Sequence, residues 1–119
     1  MKLWWPHCEA LVAFAKASQL TGDKRYWERF IMVAEYTFKH FSDAKSGENK
    51  SGGGEWFGYL DRSGVRTHDF KGGPYKGCFH VPRALLYVQE ALTLLFDTLY
   101  EKSGFDEDES IEQPMKGKK

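Results

Sequence analysis

The sequence predicts an all-α protein with one short β-hairpin between its second and third helices. Three segments, residues 6–20, 23–41 and 82–99, place apolar side chains at spacings of three and four, which is typical of amphipathic helices. Two short strand candidates flank a turn at residues 61–64. Aromatic residues form 16% of the 119-residue chain, which indicates a packed interior rather than global disorder.

The first two helices are predicted to form an αα-hairpin. Pro6 suits the first turn of helix one, where its missing N–H is not needed, and Gly22 is the expected helix stop. Asp23 is then the expected N-cap of helix two, which continues to about Phe41. A wide apolar stripe follows helix two and consists of Trp27, Phe30, Ile31, Ala34, Thr37, Phe38 and Phe41.

Helix three is predicted to begin at Pro82 and to reach about Leu99. An apolar seam runs along it through Leu85, Val88, Leu92, Leu95 and Leu99. A coiled coil normally needs roughly three to four heptads, and this seam is shorter. The pattern therefore favours a helix packed against its neighbours, with a dimer seam as the alternative.

The remaining segments are predicted to be connections and a tail. Residues 42–54 are polar and glycine-rich, which is typical of a flexible surface loop. Residues 55–60 and 65–70 are the two strands expected in the hairpin. Residues 101–119 contain an acidic run and end in lysines, so we expect a disordered tail behind a single domain of residues 1–100.

Charge and cysteine content exclude several classes of function. Lys and Arg total 17, as do Asp and Glu, so net charge gives no reason to expect nucleic acid or an anionic membrane as a partner. No apolar run approaches the roughly 20 residues of a membrane-spanning helix. Cys8 and Cys78 stand alone, which favours a reduced cytoplasmic setting over a disulfide framework. Cys78, beside Phe79 and without a clear activating base, is expected to be inert.

The aromatic content is larger than three helices and a hairpin can cover. A domain of this size buries only about 60–70% of its unfolded surface, so many Trp and Phe side chains would stay exposed. We therefore expect these helices to pack against further helices. An aromatic pair, Trp4 and Trp5, placed almost directly after Met1 supports the same expectation, that the chain is a fragment of a larger protein.

His80 and Arg83 are the most informative polar residues. His80 precedes the predicted helix start at Pro82, where the helix dipole disfavours an added positive charge and helps keep an imidazole neutral. Arg83 lies in the first turn, where a cation opposes the dipole, so an anionic or carbonyl oxygen bound there would explain its position. The alternative is a structural salt bridge beside a hydrogen-bonded histidine, and spacing alone favours that alternative.

Three further residues are weaker candidates. Glu9 is expected in the first turn of helix one, where the dipole favours a carboxylate, so it needs no functional role. Trp4 and Trp5 either stack on a sugar ring or fill a core, and core is the more common environment of a Trp.

The other histidines, at positions 7, 40 and 68, have no metal-ligand spacing, and no metal site is expected. The glycines of residues 71–77 lack the spacing of a phosphate loop.

Several blocks of the sequence resemble, in the same order, the closing section of the N-acylglucosamine 2-epimerases, the family that includes the animal proteins also called renin-binding protein. The blocks are WWPHCEAL from Trp4, TGD with YWERF, EYTFKHFSD, GEWFGYLDR from Gly54, and KGGPYKGCFHVPRALL from Lys71. They cover roughly residues 3–86 and are rich in rare residues. The chain departs from the family at residues 45–53, where the family usually has a shorter loop, and the tail is not part of the resemblance.

The resemblance implies an (α/α)6 barrel of which this chain supplies the last helices. It also implies interconversion of N-acetylglucosamine and N-acetylmannosamine by removal and return of the C2 proton through an enolate-like intermediate. His80 corresponds to one of two acid/base histidines, and the other would lie upstream of Met1. Arg83 would orient the substrate and stabilise a negative oxygen. Glu9 would bind sugar hydroxyls or assist proton movement, with Trp5 as a further substrate contact.

The resemblance also carries expectations about the whole protein. It implies a cytoplasmic homodimer that needs no cofactor for its chemistry, with ATP as an allosteric activator whose contacts are not assigned to this segment. The isolated chain is expected to be inactive. Two alternatives stay open: a non-catalytic renin-binding or regulatory protein of the same fold, which would use the seam of helix three, and a related sugar 2-epimerase or isomerase.

Overall fold

The computed structural model describes residues 1–44 and 54–104. Its elements are β1 (Lys2–Leu3), α1 (Trp4–Thr21), α2 (Lys24–His40), β2 (Tyr59–Leu60) and α3 (His80–Ser103). The structure is therefore mainly helical, as predicted. Most of the predicted flexible loop, and the predicted tail beyond residue 104, lie outside the described residues, so those predictions stay predictions.

The predicted αα-hairpin is confirmed in α1 and α2. Gly22 ends α1 in the left-handed conformation with φ 66°, and its N–H donates to the Ser18 carbonyl at 2.9 Å. Asp23 caps α2, because its carboxylate accepts a hydrogen bond from the Arg25 backbone N–H at 2.9 Å. α1 begins at Trp4, two residues before the position predicted from Pro6.

α3 is longer than predicted at both ends. It begins at His80 rather than Pro82, since a proline is accommodated anywhere in a first turn, where N–H groups have no intrahelical acceptor. It continues through Ser103 and ends where Gly104 adopts φ 63°. Residues 101–103, predicted to belong to the tail, are therefore helical.

The predicted hairpin is only partly correct. The chain does turn at Asp61, whose carboxylate accepts from the Val65 backbone N–H at 2.9 Å. However, the regular antiparallel partner of β2 is β1, with Lys2 opposite Leu60 and Leu3 opposite Tyr59. The returning segment forms an isolated bridge at Arg66, opposite Leu60. Because the pairing of β1 with β2 is long-range, the local turn pattern did not predict it.

α1 packs against both α2 and α3, so it lies at the centre of the described structure. The core takes its buried side chains from all three helices and from the connecting segment; among them are Trp4, Cys8, Leu11, Ala15, Phe30, Phe41, Trp56, Leu60, Val81, Ala84 and Ala91. Outer positions of α3 stay exposed, including Leu86 at 64% and Phe96 at 55%. This exposure agrees with the expectation that these helices have further helical neighbours.

The described residues include no helix that is long and apolar enough to cross a membrane.

Gly64 provides a test of the turn. It has φ 91°, and an added Cβ would lie 2.8 Å from the Tyr36 hydroxyl and 2.9 Å from Nδ1 of His40. Gly22 also has a positive φ of 66°, but an added Cβ there would meet nothing within 4 Å. We expect Gly64→Ala to combine backbone strain with a clash and to cost roughly 1–3 kcal/mol or more. Gly22→Ala should lower the thermal unfolding midpoint less than Gly64→Ala; an equal or larger shift for Gly22→Ala would contradict this packing.

Candidate active site at the junction of two helices

Glu9, His80 and Arg83 form one cluster although 71 residues separate the first two in sequence. Glu9 projects from α1, while the other two occupy the first turn of α3. Nδ1 of His80 lies 3.0 Å from Oε1 of Glu9. Nη2 of Arg83 donates a hydrogen bond to that same carboxylate oxygen. The packing of α1 on α3 thus joins three residues that the sequence could only place near two separate helix ends.

The charge of Glu9 determines the hydrogen-bonding role of His80. The hydrogen bond from Arg83 lowers the pKa of the Glu9 carboxyl below its ordinary value of 4.5, the hydrogen bond from His80 lowers it further, and partial burial opposes both. At neutral pH Glu9 is therefore an ionised carboxylate, which can only accept. Nδ1 of His80 must then donate, so Nε2 is the nitrogen left to exchange a proton with another molecule. As pH falls through the lowered pKa, the stabilisation from ionised Glu9 is lost.

The contact with Glu9 also explains the position of Arg83. A cation in a first turn opposes the helix dipole, and the neighbouring carboxylate compensates for that cost. The guanidinium carbon lies 4.9 Å from the ring centre of Phe79 and 5.8 Å from that of Tyr87. These rings limit its rotation. Nε of Arg83 is buried and makes no hydrogen bond within residues 1–44 and 54–104.

The two neighbouring tryptophans have different environments. Trp4 is buried, with 3% exposure, and its ring centre lies 6.4 Å from that of His80 in an edge-on contact. Trp5 is 43% exposed and lies 6.2 Å from the same imidazole. Trp5 is therefore the one with an aromatic face available to a ligand, while Trp4 fills the core beneath the site. Nε1 of Trp4 has no hydrogen-bond partner within the described part of the chain.

Two sequence-based interpretations need correction. Glu9 was expected in the first turn of α1, but the helix begins at Trp4 and Glu9 lies in its second turn, beyond the cap region. Its carboxylate is therefore held by the side chains of α3 rather than by the dipole of its own helix. His80 was expected just ahead of the third helix, but it is the first residue of α3. The structural alternative for the pair agrees with the structure, since Arg83 forms a salt bridge with Glu9 and the partly buried His80 hydrogen-bonds to the same carboxylate.

Sequence reasoning missed Lys76, four residues before His80. It lies among the glycines of residues 71–77, which lack the spacing of a phosphate loop. The structure buries its side chain, with 1% exposure, and pairs it with Glu55 at 3.0 Å. No spacing in the sequence pointed to that pairing, since a lysine within glycines is normally exposed.

Cys8 lies directly under the site and is fully buried. Burial raises the pKa of its thiol to about 12, with a further increase from the charge of Glu9. A neutral thiol is a poor nucleophile. We expect Cys8 to stay unmodified by iodoacetamide at pH 8 in the folded protein and to react after denaturation, as read by mass spectrometry of the peptide. Modification of Cys8 at the same rate in both states would contradict its burial.

The other histidines lie apart from this cluster. His7 and His40 stack on Tyr36, with ring centres 5.6 and 4.4 Å away. His68 packs on Tyr59 at 5.4 Å. Within the described ranges, no group of three or more His, Cys, Asp and Glu side chains is arranged to hold a metal ion.

Comparisons with known proteins relate most of the chain to one family. Residues 1–84 match the family described as N-acylglucosamine 2-epimerase (GlcNAc 2-epimerase). The chain is 50% identical over 99 residues to a Bos taurus N-acylglucosamine 2-epimerase, a match that covers 83% of this chain and 22% of the relative. The human N-acylglucosamine 2-epimerase is 50% identical over 95 residues, which is 80% of this chain and 21% of that protein.

A more distant relative has a different substrate name. The cellobiose 2-epimerase of Ruminococcus albus is 32% identical over 89 residues, covering 73% of this chain and 21% of its own length. The chain thus spans about a fifth of the length of the curated relatives it matches. The matched region contains Glu9, His80 and Arg83. The chain belongs to the N-acylglucosamine 2-epimerase family.

Proposed function

We propose that this chain forms one side of the active site of a sugar 2-epimerase, which interconverts N-acetylglucosamine and N-acetylmannosamine. The observation that carries the proposal is the shared hydrogen bonding of His80 and Arg83 to Glu9. This arrangement places a proton acceptor, His80, and a cation, Arg83, on one turn of α3. Proton removal next to a carbonyl needs both groups. Family membership supports epimerisation as the reaction class.

In the proposed reaction, the open-chain sugar presents its aldehyde oxygen to Arg83 and its C2 proton to His80. Nε2 of His80 takes the proton, and the electrons of the C2–H bond move to the C1 oxygen to form an enolate-like intermediate. The guanidinium stabilises the oxygen as its negative charge develops. Glu9 holds Nδ1 of the same imidazole, so it fixes the ring and stabilises the cation that forms.

Epimerisation is completed when a proton returns to C2 from the opposite face. A second acid/base group is needed there, because His80 can reach only one face of a planar carbon. The family resemblance assigns this role to a histidine upstream of Met1. The isolated 119-residue chain is accordingly expected to show no epimerisation.

The choice of sugar rests on similarity. Identity of 50% to two N-acylglucosamine 2-epimerases favours an N-acetylhexosamine. Cellobiose is the second candidate, because the 32% identical relative is a cellobiose 2-epimerase. Exposed Trp5, 6.2 Å from His80, is a suitable stacking surface for either sugar.

The test is the isotope content at C2 after incubation in D₂O. The full-length gene product that carries this segment should convert N-acetylglucosamine into N-acetylmannosamine with deuterium at C2, and should act much more slowly on cellobiose. The opposite preference would replace the proposed substrate with a disaccharide. No deuterium at C2 of either sugar would overturn the proposed reaction.

The wider expectations stay predictions. The homodimer, the cytoplasmic location and the effector role of ATP concern the full-length protein and attach to no described residue. A renin interaction through α3 would be supported if Leu92→Glu abolished binding while the protein stayed folded.

A further inference from the structure

We infer that Lys76 is a positioning residue of the candidate site and acts on His80 through Trp4. The inference rests on the proposed function. Its starting point is that a lysine ammonium is buried close to the site, with 1% of the side chain exposed. Burying a charge is costly unless it is paired and hydrogen-bonded. Nζ donates to Oε1 of Glu55 at 3.0 Å and to the Lys71 carbonyl at 2.7 Å, which provides that compensation.

Lys76 and Trp4 pack together on Gly58. A Cβ added at Gly58 would lie 3.1 Å from Cδ of Lys76 and 3.4 Å from Cε3 of Trp4, so both side chains occupy the space left by the absent side chain. The Gly58 carbonyl also accepts from the Trp4 backbone N–H at 3.2 Å. Nζ of Lys76 lies 5.9 Å from the centre of the indole ring, within the range of a cation–π attraction. The indole is thus fixed by its backbone and by Lys76.

The fixed indole in turn contacts the imidazole of His80. The two rings meet at an angle of 77° with centres 6.4 Å apart. Glu9 fixes one atom of that imidazole, Nδ1, which still permits rotation about the hydrogen bond. The edge contact with Trp4 restricts this rotation. The rings of Trp5 and Phe79 also pack on the imidazole, with centres 6.2 and 5.1 Å away. The contact with Trp4 thus contributes to the direction of Nε2, and proton transfer is sensitive to displacements of this kind.

Three variants of the full-length protein separate positioning from stability. Lys76→Met keeps the aliphatic stem and removes the ammonium. Gly58→Ala retains both Lys76 and Trp4 but displaces the stem of Lys76 by a few tenths of an ångström, so it tests the inference even if Lys76→Met fails to fold. Gly72→Ala is the matched control in the same loop, because its added Cβ would make only an ordinary contact, 3.8 Å from the Lys76 carbonyl oxygen.

We expect Lys76→Met and Gly58→Ala to lower kcat for C2 exchange by about tenfold or more, with KM within about twofold of the parent value. The His80 imidazole resonance in ¹³C-histidine NMR spectra should shift in both variants, because ring currents of Trp4 act on it. The resonance of His40, which packs on Tyr36 instead, should not shift. Gly72→Ala should change neither kcat nor the His80 resonance.

The two readouts distinguish this inference from the proposed function. If the His80 resonance stays in place in both variants, Lys76 does not position His80 and the inference is overturned, whether or not the parent is active. The inference is also overturned if the resonance shifts but both variants keep the kcat of an active parent. If the resonance shifts and the parent shows no C2 exchange, the proposed reaction fails while the positioning contact stands.

Discussion

His80→Asn in the full-length protein is expected to lower kcat for C2 proton exchange by roughly 10²- to 10⁴-fold, the contribution typical of a positioned general base. Asparagine is the informative replacement, because its amide can donate to Glu9 as Nδ1 of His80 does. The variant should therefore keep the Glu9 contact and the fold while losing the proton acceptor. The rate is measured by NMR from loss of the C2 proton signal in D₂O.

The control for His80→Asn is His68→Asn. His68 is exposed and hydrogen-bonds to Thr67 at 2.9 Å, away from the cluster. The His68→Asn variant should retain the C2 exchange rate and the thermal unfolding midpoint of the parent. An exchange rate of His80→Asn equal to that of the parent would remove His80 from the chemistry.

Arg83→Met should produce the second large effect, a fall in kcat of about 10²- to 10³-fold, as expected when a donor to a developing oxyanion is removed. The fall has two physical sources. The intermediate loses its cation, and Glu9 loses the hydrogen bond that contributes most to lowering its pKa. Arg83→Lys keeps a charge but lacks the planar set of donors, so its rate should lie between those of the parent and Arg83→Met.

The pH dependence of Arg83→Met gives an independent readout. Without the arginine, the pKa of Glu9 should move up towards its ordinary value of 4.5, which a ¹³C NMR titration of the Glu9 carboxyl measures directly. A Glu9 titration at the parent position, together with a parent kcat, would show that the contact of Arg83 with Glu9 has no role in the reaction.

Local sequence signals were sufficient for much of the helical structure. The stop at Gly22 and the cap at Asp23 were both correct, because each depends on backbone chemistry within a few residues. The partner of β2 was not predictable in this way. It is β1, more than 50 residues away, and a two-residue strand carries no pattern that specifies a distant partner.

The site shows the same division between local and long-range information. Spacing placed His80 just ahead of a helix whose first turn contains Arg83, and the resemblance to the family added a role for Glu9. His80 and Arg83 reach the same carboxylate oxygen of Glu9 because α1 packs on α3. No local sequence pattern specifies that packing. Lys76 was missed for the same reason, since its pairing with Glu55 crosses 21 residues of connecting segment.

The central claim is that Glu9, His80 and Arg83 act as a unit, with the carboxylate working through the imidazole. The measurement that tests it most directly is a double-mutant cycle on C2 exchange in the full-length protein, using Glu9→Gln, His80→Asn and the combined variant. We predict a coupling free energy of about 1–3 kcal/mol, because removing the carboxylate should matter little once the imidazole is gone. Losses that add within about 0.5 kcal/mol would contradict the account, since they would mean that Glu9 and His80 act independently.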